Sequence, residues 1–227
     1  MKTRHFAFFA VLAAIAIAAA GCSVFDVVGK TAITTFQTLT DRMKADIALD
    51  AAANRWVLAS PGGQTFEWSV DFSGPGPDFR LSFDAGPYLE AGLDPARLSP
   101  ERYAFDPASR RLSLGFEIGA DSFTYSLPPA PLDTFRKIVQ THRSIIGYHS
   151  ALDHYGIALG DGNMFEWAKD MASNDKDMVF VLDPQPLIGA GVDPSKIRDW
   201  VFAKVPVKDA SGRTVEVDKF LKPFDLR

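Results

Sequence analysis

The sequence predicts an α+β fold written twice in tandem, each unit a mostly antiparallel sheet with one N-terminal helix and a short second helix. Three observations carry this. FEWSVDF at 66–72 returns as FEWAKDM at 165–171. AGLDPARL at 91–98 returns as AGVDPSKI at 190–197. In both halves an apolar helical pattern precedes the first phrase. Under one ungapped shift of 99 residues, 14 of the 46 positions from 59 to 104 are identical to those from 158 to 203. Unrelated chains of ordinary composition would share about three. The repeat is therefore the first fact of the architecture, and a unit of about 95 residues is the size of a small domain. Unit one is placed at 31–126 and unit two at 132–227, with the proline-rich stretch Leu127–Pro131 as a stiff link. The repeat alone leaves open whether the units fold separately or pack into one body.

Each unit opens with a helix. Ile33, Phe36, Leu39, Met43 and Ile47 recur at three- and four-residue spacing, and Leu132, Phe135, Ile138, Val139 and Ile145 nearly repeat the pattern, which is one apolar helical face. Pro131 stands where a first-turn proline belongs. Trp56–Ser60 and Thr65–Phe72 then flank Pro61-Gly62-Gly63-Gln64, a hairpin signal; unit two has Gly160-Asp161-Gly162-Asn163 at that turn. Within FEWSVDF, Phe66, Trp68, Val70 and Phe72 share one strand face. Glu67, Ser69 and Asp71 share the other, which is expected to be wet. Phe79–Phe83 and Met178–Leu182 are third strands. Val179 and Val181 stand where unit one has Arg80 and Ser82, so the second sheet is expected to be covered on both faces. PYLEAGL is a short helix stopped by Gly92 and Pro95. Strands near Arg102–Phe105 and Arg111–Phe116 close unit one, and Trp200–Val205 and Thr214–Val217 close unit two.

The first residues read differently. Lys2 and Arg4 precede an apolar run from Phe6 to Ala20, shorter than the roughly 20 residues of a spanning helix. A charged start, a short apolar run and small residues describe a secretory signal. Ala19-Ala20-Gly21-Cys22 resembles the lipobox of bacterial lipoproteins. The resemblance covers residues 1–22. It implies a signal peptide at 1–21, lipidation of Cys22, a tether at 22–30 and a lipid-anchored place in the cell envelope. Ser23 after the cysteine implies, in a Gram-negative host, the periplasmic face of the outer membrane. Cys22 is the chain's one cysteine, so no internal disulfide is expected, and lipidation accounts for the leftover thiol.

Charge narrows the partners. The chain carries a formal −4; since Lys2 and Arg4 are the only charges before Cys22, residues 22–227 carry −6. That balance argues against nucleic acid, whose phosphates require clustered Lys and Arg, and against a polybasic grip on lipid. The membrane contact is expected through acyl chains, with an envelope protein as a possible partner.

The sequence offers little chemistry. There is no GxSxG elbow, GxGxxG or P-loop, and no enzyme activity or cofactor is expected. Glu67 and Asp71 lie about 13 Å apart on a strand, too far to share one ion. SNDKD at 173–177 lacks the glycine and glutamate of a calcium loop and reads as an ordinary loop. His142, His149 and His154 all fall in unit two. Imidazole suits zinc and copper, and His149, Asp153 and His154 are the weak metal candidates, although the histidine spacings of seven and five match no helical or strand pair. Tyr88, Tyr103, Tyr148 and Tyr155 are candidates to line a ligand groove between the units. The reading is a non-enzymatic anchored lipoprotein with a binding or structural role; the alternative is a small-ligand or metal binder using the inter-unit groove.

Overall fold

The helical pattern of 33–43 and the strand alternation that follows it fold as one sheet with a helix against it, and the second copy does the same. The computed structural model describes residues 22–74, 76–125, 129–149, 152–171, 176–208, 211 and 213–226. The stretch 1–21, read from the sequence as a signal peptide, lies outside these residues, as do Leu127, Pro128 and Ser173 to Asp175. In unit one, α1 (Cys22–Arg42) precedes β1 (Ile47–Asp50), β2 (Arg55–Ala59), β3 (Thr65–Ser69), β4 (Phe79–Asp84), α2 (Gly86–Glu90), β5 (Tyr103–Asp106) and β6 (Arg111–Phe116). In unit two, α3 (Pro131–Thr141) precedes β7 (Ile146–His149), β8 (His154–Gly160), β9 (Asn163–Ala168), β10 (Met178–Leu182), α4 (Gln185–Gly189), β11 (Val201–Lys208) and β12 (Thr214–Phe224). The structure is thus mostly β: among the described residues there are two six-stranded antiparallel sheets and four α-helices. One sheet runs β1-β2-β3-β4-β6-β5 and the other β7-β8-β9-β10-β12-β11. The same order in both fits a duplication.

The sheets face each other across one continuous core, and the contacts at its centre obey a rule. Residues 99 apart in sequence meet each other. Phe36 of α1 stacks on Phe135 of α3 with ring centroids 3.8 Å apart. Phe66 of β3 stacks on Phe165 of β9 at 4.2 Å. Around these self-contacts the bonds are reciprocal: Asp94 N–H donates to the Ala190 carbonyl at 2.9 Å, and its equivalent Asp193 N–H donates to the Ala91 carbonyl at 2.8 Å. Equivalent positions touch themselves only on a twofold axis, so the units are related by a pseudo-twofold running through these pairs. Trp68 and Trp167 flank the axis edge-on to Phe36. Their indole N–H groups donate across it, to the Pro131 carbonyl at 3.2 Å and to Thr35 Oγ1 at 2.9 Å. Buried Trp needs such a partner, and each unit supplies the other's.

Phe36→Leu removes the stack at the axis while keeping the position apolar. It should cost about 1–2 kcal/mol, the range of one or two aromatic pairs beyond simple burial. A urea titration showing no midpoint shift would contradict the central place of this pair.

Three expectations need correction. Ile47 and Ile145 do not extend the helices: α1 ends at Arg42 and α3 at Thr141, Ile47 opens β1, and Ile145 closes a 3-10 turn. Phe72 lies past the end of β3, with a positive φ of 55°. The outward face of FEW is not wet: Glu67 and Ser69 are buried, at 8% and 5% exposure, while Asp71 is half-buried and accepts from Asn54 Nδ2 at 2.7 Å. The second sheet is covered on its outer face, with Val179 and Val181 buried. Its cover is the chain itself. β12 pairs with β10 only from Phe220 to Phe224. The rest of the β11–β12 hairpin runs on as an arm whose Val205 and Lys219 reach over that face.

Candidate functional site

Glu67 and Glu166 occupy the same place in the two sheets, on the outer face of the third strand of each. A buried carboxylate must be paired, and the halves solve this differently. Around Glu67 stand Arg55 Nε at 3.4 Å and Arg80 Nη1 at 3.4 Å. Thr65 and Ser82 hydroxyls donate to Glu67 Oε1 at 3.0 and 3.2 Å. Arg55 is 2% exposed. Burial and the neighbouring charge of Arg80 push its guanidinium down from its ordinary value, and Glu67 pulls it back up.

Unit two has lost every one of those partners. Under the 99-residue shift Arg55 becomes His154, Arg80 becomes Val179, Thr65 becomes Met164 and Ser82 becomes Val181. Two imidazoles replace them. His149 and His154 stand directly opposite each other on β7 and β8. Their Nδ1 atoms lie 3.6 Å from Glu166 Oε1 and 3.5 Å from Oε2. Glu166 reaches them across Gly156, where unit one has Val57; a Cβ at Gly156 would lie 3.1 Å from Glu166 Cγ. All three side chains are buried, at 3%, 1% and 3% exposure, and none of the four ring nitrogens has a hydrogen-bond partner among the described residues. Burial pushes the Glu166 carboxyl up, and the two imidazoles more than offset this, holding it below the usual carboxylate range. A depressed carboxylate contributes stability that is present above its unfolded value and lost as pH falls through the lowered one. A cavity of about 40 Å³ adjoins the cluster, walled by Leu152, Met164, Val179, Val181 and Val205.

The sequence singles out His149, Asp153 and His154 as a group. The structure keeps the histidines together but turns Asp153 away, to the Tyr148 hydroxyl and to Lys169 Nζ at 3.4 Å. No group of three or more metal-ligating side chains suited to an ion is found among the described residues. Glu166 is the member that sequence reasoning misses, because alternation assigns it to a solvated face. The signal is present: the same shift that aligns FEW with FEW sets His154 on Arg55.

The four tyrosines do not line one groove. Tyr88 is fully buried among Phe83, Trp200 and Phe220 and faces no opening, a correction to the sequence reading. Tyr148 and Tyr155 pair with each other at 5.1 Å on the β7–β8 edge of the second sheet. Of the four, Tyr103 lines an inter-unit cleft. That cleft, of about 400 Å³, joins Arg97, Arg102 and Tyr103 of unit one to Asp161, Asn163 and Pro186 of unit two. Arg102 pairs with Asp161 across it. Burial first, then the charge of Asp183, push the Tyr103 hydroxyl up to about 12, so it is a donor at neutral pH. A second hollow of about 450 Å³ lies on the outer face of unit one, beside Arg80, Glu101, Ser113 and Glu117. Unit two's counterpart face carries the arm.

No helix among the described residues is long and apolar enough to cross a membrane. Compared with models of protein families, with curated proteins and with solved structures, the chain matches none of them.

Proposed function

We propose that the protein is a non-enzymatic lipoprotein of the cell envelope, tethered through Cys22, whose body is a tandem duplication of an α+β unit with one principal helix and serves as a binding or structural module. The observation that carries this reading is the placement of the one cysteine one residue past the apolar run from Phe6 to Ala20. The geometry supports it at one further point. α1 begins at Cys22 and continues as one helix of 21 residues, roughly 30 Å long, whose later residues Phe36 and Leu39 are fixed in the core. The segment read as a tether is helical backbone, so the body would sit at a set distance from the bilayer. The partner in this reading is an envelope protein rather than nucleic acid.

Two or more acyl chains hold a protein stably at a membrane. Palmitate labelling in the host should therefore mark the wild-type chain and place it in the membrane fraction. Cys22→Ser should abolish both. A wild-type chain that takes up no label, or a Cys22→Ser chain that still sediments with membranes, overturns the anchor.

The inter-unit cleft favours a second reading, a small-ligand binder. Its volume suits a small molecule, and Arg97 and the Tyr103 hydroxyl supply donors for an anionic group. Equilibrium dialysis against extract of the host envelope that retains nothing would remove this reading.

A further inference from the structure

We infer that Glu166, His149 and His154 form a proton-operated latch that keeps the β11–β12 arm seated on the second sheet and releases it in mild acid. The inference stands apart from the anchor, since it concerns only the folded body. It rests on the comparison inside the chain. In unit one the buried carboxylate has permanent cations, Arg55 and Arg80, and an outer face open to a hollow. In unit two the permanent cations are gone, titratable imidazoles stand in their place, and an apolar arm covers the result. Histidine is the side chain whose charge changes near neutrality.

The charge count decides the two states. One imidazolium beside the Glu166 carboxylate would make a neutral buried group. The Glu166 carboxyl is held below its usual range, and imidazole is the kind of side chain that takes up a proton near neutrality. The second imidazolium leaves one uncompensated positive charge beneath Val179, Val181 and Val205. Asp153 is turned to Tyr148 and Lys169. From β12 comes Lys219, another cation, its head beside Gly162 and its own charge opposed by burial and favoured by Asp183. Lys204 on β11 is exposed and paired with Asp218. An unpaired buried charge is relieved by admitting water, and the element free to move is the arm, since its outer half pairs with no strand beyond its own hairpin.

The test reads cover directly. In a Cys22→Ser background, Val181→Cys places a thiol beneath the arm and Val201→Cys places one at an exposed position. Labelling by dithiodipyridine, taken as the ratio of the two rates, should rise at least about tenfold between pH 7.5 and about pH 5, the range over which imidazole changes its charge. Adding His149→Asn removes the second charge, and the ratio should then stay level. His149→Gln serves the same purpose if the first variant does not fold. An unchanged ratio in the wild-type pair, or an acid rise that persists without His149, overturns the latch. So does a ratio at pH 7.5 that falls on adding zinc and rises with chelator, which would make the cluster a metal site instead.

Discussion

Gly92→Ala and Gly191→Ala should each destabilise the protein by about 3–5 kcal/mol, a large share of the stability of a domain this size. Both glycines hold φ in the left-handed region, +105° and +108°. Placing alanine there costs on the order of 1–2 kcal/mol. The greater part of the loss is steric. A Cβ on Gly92 would lie 2.7 Å from the Gly191 carbonyl oxygen, and one on Gly191 would lie 2.6 Å from that of Gly92. Neither obstacle is a side chain that could rotate away. Relief requires the two turns to part, which strains the reciprocal hydrogen bonds of Asp94 and Asp193, each contributing about 0.5–1.5 kcal/mol. Gly63→Ala is the control. Its φ is +78° and nothing lies within 4 Å of its would-be Cβ, so only the conformational cost of about 1–2 kcal/mol applies. Urea unfolding of the three variants should separate them clearly. Equal losses would mean that the turn contact contributes nothing beyond backbone strain.

Arg55→Met should cost a similar amount, about 3–5 kcal/mol, because it leaves a buried carboxylate short of its best cation. Arg80 remains near Glu67, but its side chain is 34% exposed and is screened more strongly by water. Arg55 also donates to the carbonyls of Pro77 and Asp78, tying β2 to the loop before β4. Combining Arg55→Met with Glu67→Gln should recover roughly half of the loss, since the pair is coupled. A double variant as unstable as the sum of the two singles would show that Arg55 acts through the carbonyls instead.

Much of the fold is legible in the residues. The bounds of β6 coincide with the stretch Arg111–Phe116, and both hairpin turns fall on their glycine-rich tetrapeptides. These are local signals, and local chemistry settles them. β1 and β7 are not legible. In β1 only Ile47 is even partly buried, so it has no alternation to read, and its one partly buried residue falls at a helical spacing from Met43. β12 runs seven residues past the Thr214–Val217 read from the sequence: Pro223, a residue that speaks against a strand, pairs with Val179 inside the ladder. The outer faces fail for a deeper reason. Period-two alternation tells which side chains share a face, and it says nothing of what lies over that face. For Glu67 the cover is arginine stems from neighbouring strands, and for Glu166 it is the arm, arriving from about 40 residues along the chain.

The stacks of Phe36 on Phe135 and Phe66 on Phe165, and the turn of Gly92 against Gly191, also bear on how this chain was free to change. A lone unit making these contacts would have made them with a second copy of itself. Every substitution in that assembly would strike twice, once from each side of the axis, and an Arg-to-His exchange beside the buried carboxylate would have altered both sheets together. Once the halves share one polypeptide, each codon is answerable for a single side. Asymmetry then becomes reachable in single steps: the permanent charges kept at Arg55 and Arg80, the titratable ones gathered at His149 and His154, and an arm grown on one sheet while the other stays bare.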